Sequence, residues 1–354
     1  MQWQNKIKPD LYFKRQRHRL ALLFVLLSAS SGVLMPKVSV AAEQQAPQLA
    51  RPGQKASEKE PDTLFSQAWQ DLQLLSADDM AGRSSGSRGS GLAQQYLQQR
   101  FTDLGLVALT DNYRQPFRYN LGFSQQQGVN LIGLKQGCRY PDIYIVVTAH
   151  YDHLKPQGKR IFNGADDNAS GVAGMLYLAA MLQSQCPAYS YLFVATDAEE
   201  HGLDGAKAFL AQPPVSPAKM LLNINLDMIG RGERNNKLYL LGKRSLPVIL
   251  QMPRTEKNGV RLVLASERRP ESRGSASVDW SNASDHGVFR RAGIPYLYFG
   301  VDLHADYHSP NDDWQRIDAG FFQAALSQIA ATVLWLEQQS PAQLQYPRKS
   351  TKLN

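Results

Sequence analysis

Residues 143–153 read IYIVVTAHYDH. The Ile-, Val- and Tyr-rich run has the composition of a buried strand, and it leads directly into His150, Asp152 and His153. The pattern recurs in YLFVATDAEEHG at 191–202 and in LLNINLDMIG at 221–230. Each apolar run stops at ionisable groups on its carboxyl end, the edge where open α/β sheets bind ligands. One such ending is ordinary. Three of them, with NGADDNASG at 163–171 between and YHSPNDD at 307–313 downstream, exceed what solvated strand ends explain.

Around these runs the chain alternates. VNLIGLK (129–135), KLYLLG (237–242) and PYLYFG (295–300) also read as strands. Apolar spacing at three and four predicts helices over 64–75, 92–104, 169–184, 203–212, near Val288, and from Asp318 to about Gln338. The implied fold is α/β, with a mixed, mainly parallel central sheet flanked by helices on both faces. MAGRSSGSRGSG (80–91) reads as a flexible Gly/Ser linker. Residues 231–273, with RGER, KR, RTEK and SERRPESRG, read as solvated loops or as a rim over the site, and the loops of 231–290 are expected to build the substrate pocket.

Residues 1–42 have the form of a secretory signal: six Lys or Arg ahead of an apolar run from Leu20 to Met35, then Lys37, Ser39, Ala41 and Ala42. The run is shorter than the roughly 20 apolar residues of a membrane span. Export to the periplasm or medium is expected, with an uncleaved membrane anchor as the alternative. Removing the seven Lys or Arg and the one acid of this leader takes the formal charge from +8 to about +2. The basic balance is therefore no argument for nucleic-acid binding. Residues 43–61 read as a disordered link, 62–340 as a single catalytic domain and 341–354 as a flexible tail. Cys138 and Cys186 each shortly precede a predicted strand. They can pair if those strands are parallel neighbours in an oxidising compartment, or remain two small apolar residues.

Metal chemistry accounts for the residue types at the strand ends. Zinc takes imidazole nitrogen and carboxylate oxygen, and a carboxylate can bridge two ions about 3.5–4 Å apart. The candidates are His150, Asp152, His153, Asp166, Asp167, Glu199, Glu200, His201, Asp227, Asp285, His286, His304 and His308. Two ions need fewer, and spacing alone does not select among them. Strand alternation puts His150 and Asp152 on one face, so the carboxylate can orient the imidazole. Glu199 and Glu200 are adjacent and diverge, so that one can hold metal while the other stands free as a base.

HYDH, NGADDNASG, DAEEHGLDGA, NLDMIG and YHSPNDDW, in this order and preceded by DDMAGRSSGSRGSG, resemble the co-catalytic di-zinc aminopeptidases of metallopeptidase family 28. The resemblance runs from about Met80 to Asp318 and implies the phosphorylase/hydrolase-like fold of zinc exopeptidases. It implies two zinc ions: His150 and Asp227 on one, Glu200 and His308 on the other, and Asp167 shared. Asp152 would orient His150, and Glu199 would be the general base. The Asp167–Asn168 peptide is typically cis in this family. Asp166 is expected only to cap or solvate the loop, so that Asp166→Ala is mild. His153 and His201 are expected to back the metal ligands or to sit at the rim rather than to bind metal, and His304 to lie in a loop. Asp285 and His286, in SNASDHGVF, resemble a segment lining the substrate side, with helix capping as the alternative for Asp285. Tyr307 can donate to the reacting carbonyl or simply pack.

The resemblance implies metal-assisted hydrolysis of peptides with a free N-terminus. The alternatives are a glutaminyl cyclase-like acyltransferase, which works with a single zinc on the same fold, a zinc-dependent carboxypeptidase, and a zinc-binding module without catalysis. Manganese and cobalt also suit such ligands.

Overall fold

The computed structural model describes residues 61–232, 236–254, 256–270 and 277–344. The leader expected at 1–42 and most of the linker expected at 43–61 and of the tail expected at 341–354 lie outside the described residues; Pro61 already opens a helix, and Pro341–Leu344, expected as flexible tail, is helical with Leu344 buried. The helices are α1 (Pro61–Leu75), α2 (Arg88–Asp103), α3 (Gly171–Gln183), α4 (Asp204–Ala211), α5 (His286–Arg291), α6 (Ala319–Glu337) and α7 (Pro341–Leu344). The strands are β1 (Val107–Ala108), β2 (Arg114–Leu121), β3 (Ser124–Lys135), β4 (Tyr140–His150), β5 (Tyr189–Thr196), β6 (Met220–Leu226), β7 (Lys237–Leu241), β8 (Glu256–Lys257), β9 (Val260–Leu264), β10 (Arg268–Pro270), β11 (Ser277–Asp279) and β12 (Tyr296–Gly300).

Ten strands form one mixed sheet in the order β1-β3-β5-β4-β6-β12-β7-β9-β8, with β2 also on β3. The centre, β5-β4-β6-β12, is parallel throughout, as is β7 with β9. The margins and the β12–β7 pair are antiparallel. Strand alternation sorts the side chains. Ile145, Val147 and Ala149 join Tyr191, Phe193, Leu222, Ile224 and Phe299 in a core shared with α1, α2, α3 and α6. Val146, Leu192 and Val194 face the other way, against Phe209 of α4 and Phe289 of α5. Helices therefore cover both faces, and β5, β6 and β12 are buried along their whole length.

The parallel pairing of β4 with β5 also brings together the residues before each strand. Cys138 and Cys186 form a disulfide, with Cα atoms 5.7 Å apart. Two further expectations change. MAGRSSGSRGSG is not a linker: Asp78–Arg83 is a 3₁₀ turn, Ser87 caps α2 through Ser90 N–H, and Arg83 is fully buried. The charged region after Arg231 is not only loop: beside β7, the strand expected at KLYLLG, β9 also extends the sheet, and Leu238, Leu240 and Leu262 enter the core. RQPFRYNL, which lacks a clean apolar period, forms β2 because β3 offers it an edge.

Candidate metal centre

In-register pairing aligns the ends of the central strands. His150 lies opposite Thr196, and Thr148 opposite Asn225, so the strands hand His150, the DAEE turn and Asp227 to one edge of the sheet. Beyond the strands the backbone turns sharply. Ala198, Met228 and His308 have φ of 56°, 56° and 54°. This left-handed region costs a non-glycine residue on the order of 1–2 kcal/mol, and such strain clusters at functional sites. Asp197 fixes the DAEE turn by accepting from the N–H groups of Val129 and Ala198 and from the Tyr151 hydroxyl.

NGADDNASG is held from three sides. The Asp312 carboxylate accepts the backbone N–H groups of Asp166 and Asp167, each at 3.0 Å. Asn168 stitches the loop to the end of β6, donating to Leu226 O and accepting from Met228 N–H. Arg83 donates to the carbonyls of Leu75, Tyr151, Asn163 and Gly164, tying the loops at 151 and 163 to one buried guanidinium. Burial pulls its pKa down to about 10, against the opposing pull of Asp152, Asp167, Asp312 and Glu200, so it stays charged at neutral pH. Gly164 has φ of 55°, and a side chain there would run into the carbonyl of Asp167 and the His153 ring. The Asp167–Asn168 peptide is cis.

The loops deliver two donor groups that meet at Asp167. His150 Nε2 lies 3.4 Å from Asp227 Oδ1 and 3.5 Å from Asp167 Oδ1. His308 Nε2 lies 3.1 Å from Asp167 Oδ2 and 3.2 Å from Glu200 Oε2. His153 joins the second group, with Nδ1 2.8 Å from Glu200 Oε1 and 3.8 Å from Asp167 Oδ2. Glu199 stands beside His150 and Asp227 in the first.

The residues fit divalent metal. Asp227 Oδ1 and His308 Nε2 are buried without a hydrogen-bond partner, although both point into these groups. The surrounding acids also demand positive charge. Burial opposes it, yet Glu199, Asp227 and Asp167 raise the His150 pKa well above the usual imidazole value. Burial is likewise overcome at His308, which Asp167 and Glu200 lift to about 10. A cation coordinated here would supply the charge that the imidazoles otherwise draw from protons. Burial, then the neighbouring charges of Asp227, Asp285 and Glu200, push the Glu199 carboxyl well above its usual range against the pull of His150.

Several expected placements are revised. It is the main-chain oxygen of Asp152 that meets His150 Nδ1, at 3.1 Å. The Asp152 carboxylate is 3.8 Å away and instead accepts Glu199 N–H, because the chain leaves strand geometry after His150. Asp166 is not solvated. It is fully buried, accepting from Gly230 N–H and the Ser170 hydroxyl through Oδ1 and meeting His304 Nε2 through Oδ2. Asp285 and His286 do not line the substrate side. Both are fully buried, since α5 packs them under the sheet edge. Asp285 accepts from the Thr196 hydroxyl, and burial raises it to about 6. His286 Nε2 meets Trp280 O at 2.9 Å, and its ring packs on Tyr296 and Tyr298.

Tyr307 does face the site, with its ring stacked on His308. His201 stacks on Tyr119, away from both donor groups. His153 supports Glu200 from behind, one of the two places expected for it, whereas Arg83, expected in a linker, is the residue that local reading missed. The signal for Arg83 was the place of DDMAGRSSGSRGSG ahead of the other motifs.

A cavity of about 250 Å³ opens over His150, Asp167, Glu199, Glu200 and Asp227, with Met228, Trp280, Ala283, Tyr298, Val301, Leu303 and Tyr307 as its remaining lining. Among the described residues, only Trp280 and Ala283 come from the region expected to build it. The rest follow β6 or belong to β12 and the loop beyond.

Comparison with known proteins agrees with this geometry. The model of peptidase family M28 matches residues 130–333. Aminopeptidase YwaD of Bacillus subtilis (strain 168) is 30% identical over 224 residues, 60% of this chain and 45% of that protein. The alkaline phosphatase isozyme conversion protein of Escherichia coli (strain K12) is 30% identical over 173 residues, 45% of this chain and 49% of that one. The chain thus spans about half the length of these relatives. Among solved structures, BSAP, a zinc aminopeptidase from Bacillus subtilis, superimposes with a TM-score of 0.61 at 16% identity over 79% of this chain and 97% of its own. Porphyromonas gingivalis glutaminyl cyclase does so at 0.57 and 20% identity over 79% and 100%. Likeness at that identity speaks for the shared fold. The family match spans more than half the chain and contains every residue of both donor groups, so the chain belongs to peptidase family M28.

Proposed function

We propose that this chain is a zinc-dependent aminopeptidase that removes N-terminal residues from peptides. The observation that carries this reading is the Asp167 carboxylate, whose two oxygens face different imidazoles, His150 and His308. His150, Asp167 and Asp227 would hold one zinc, and Asp167, Glu200 and His308 the other, with His153 steadying Glu200. When bound, such ions polarise a scissile carbonyl and acidify water. Glu199 takes the proton of the attacking water and delivers it to the leaving amine. Its position supports this role: it lines the cavity, and its backbone N–H is fixed by Asp152 Oδ1 at 3.1 Å. The apolar wall of Met228, Trp280, Tyr298, Val301 and Leu303 receives the side chain of the first residue, and the acids around it attract the free α-ammonium. Tyr307 is placed to donate to the carbonyl oxygen.

The test is metal analysis of the purified chain combined with aminoacyl substrates free or blocked at either terminus. Two zinc ions per chain and release only from free N-termini are expected. One zinc with cyclisation of N-terminal glutamine would replace this reading with the cyclase. Cleavage only from free C-termini would replace it with the carboxypeptidase. Glu199→Gln is expected to lower kcat by about 10²–10⁴-fold with zinc content unchanged. Export belongs to the same proposal, supported by the leader composition and by the Cys138–Cys186 bond, which persists in oxidising compartments. Mass spectrometry of the mature N-terminus checks it.

A further inference from the structure

Behind the Trp280 wall lies a second cavity of about 530 Å³, lined in part by Arg244, Glu267, Arg268, Asp279, Arg290 and Tyr296. Its charges are mixed: Arg290 donates to Ser281 O and Asn282 Oδ1, each at 3.0 Å, and Asp279 accepts Ser281 N–H at 2.9 Å, whereas Arg244 and Arg268 are loosely paired. Arg244 Nε is 3.9 Å from Glu267 Oε2, beyond hydrogen-bond reach, and the Arg244 side chain is 81% exposed. Arg268 reaches Asp279 at 3.4 Å and is equally open to solvent. Glu267 is different. It is more than nine-tenths buried, Oε1 accepts from the Tyr296 hydroxyl at 3.2 Å, and Oε2 has no hydrogen-bond partner. A buried carboxylate oxygen without a donor is costly. Arg244, the cation that the described residues bring nearest to it, sits too far away to satisfy it and too exposed to be held.

We propose that this cavity binds a free α-amino acid. The ligand's ammonium would take Glu267 Oε2, and Arg244, released from that loose pairing, would close on the ligand's carboxylate beside Arg268. A zwitterion is the species that supplies both partners without leaving a net charge behind. An anion alone would face Glu267 and Asp279, and a cation alone would face three guanidinium groups. Nothing in the geometry of the cavity depends on catalysis. The aminopeptidase reading enters as the source of the ligand, because it makes a free amino acid the product released next door. The two cavities share structure: Glu267 O accepts Trp280 N–H at 2.7 Å, and Trp280 lines the first cavity. Binding at one therefore bears on the wall of the other, and any such coupling is reciprocal.

Calorimetry on the full chain tests this, with L-leucine as probe and Asp167→Asn as background, so that the first cavity is disabled. One leucine per chain is expected to bind. Arg244→Ala and Glu267→Gln should each weaken it at least about tenfold, the scale of one charge-assisted contact. L-leucinamide, which lacks the carboxylate, and N-acetyl-L-leucine, which lacks the ammonium, should bind at least about tenfold more weakly. Absence of binding in the Asp167→Asn chain at millimolar leucine overturns the proposal. So does binding that neither variant changes, or binding of either blocked analogue as tightly as leucine. Arg244 is at the surface, so its variant remains informative if Glu267→Gln fails to fold. Peptide hydrolysis by the wild-type chain, measured alongside, separates the two readings. Hydrolysis without second-site binding removes only this inference, and binding without hydrolysis removes only the aminopeptidase.

Discussion

Asp166 and Asp167 are neighbours with opposite burdens. Asp167 aims its two oxygens at two imidazoles, whereas Asp166 serves as an internal acceptor for Gly230 N–H, the Ser170 hydroxyl and His304. Asp167→Ala is expected to lose bound zinc and activity while the metal-free chain keeps most of its stability. Asp166→Ala leaves buried donors unpaired, at about 1–3 kcal/mol each, so it should lower the melting temperature of the metal-free chain well below that of Asp167→Ala. Metal analysis and thermal melts in chelator distinguish them. Equal melting temperatures would count against the division of labour. The expectation of a mild Asp166 effect came from the loop's polar composition, which is silent on burial.

At the scale of elements, the turn Asp78–Arg83 is the clamp that fixes the loops after β4 and before α3. Arg83→Ala strands four carbonyls and is expected to cost roughly 3–5 kcal/mol, the range for breaking a buried charged network. Arg83→Lys keeps the charge but not the planar fork, so it should recover part of the stability and less of the zinc affinity. Urea unfolding and zinc titration read the two effects separately.

The contact between α5 and Trp280 carries a pH dependence. Burial depresses His286 to about 4, while its unfolded value is near 6.5. The folded state therefore binds fewer protons. Its stability is complete above pH 6.5 and falls as pH drops toward 4, by up to about 3 kcal/mol. His286→Asn, measured by denaturant unfolding across that window, should show a flatter slope. An unchanged slope would rule His286 out as its source.

At the scale of the whole molecule, a helix-covered sheet converges a dense group of acids on one edge, and bound cations must offset their repulsion. An ion at a hundred times its dissociation constant adds about 2.7 kcal/mol. If the chain holds the two ions proposed above, removing them should lower the melting temperature on the order of 10 °C. Differential scanning calorimetry with and without chelator, followed by zinc add-back, checks this. A chain that melts identically in both would argue against ions bound at the edge.

Largely apolar runs at 143–150, 191–196 and 221–226 carried the α/β class in the sequence itself, because a strand buried on both faces is mostly apolar, its few polar side chains, such as Asn223 and Asn225, being hydrogen-bonded inside. Their ionisable ends announced the functional edge, and the order of five motifs carried the family. Strand order, the disulfide, the burial of Asp166, Asp285 and His286, and the clamp formed by Arg83 were decided only in three dimensions. The physical reason is distance along the chain. Periodicity reports which face a residue presents to its own element. Burial of an isolated charge, and the carbonyls that satisfy it, depend on partners such as Leu75 and Gly164, which no local pattern can bring to Arg83.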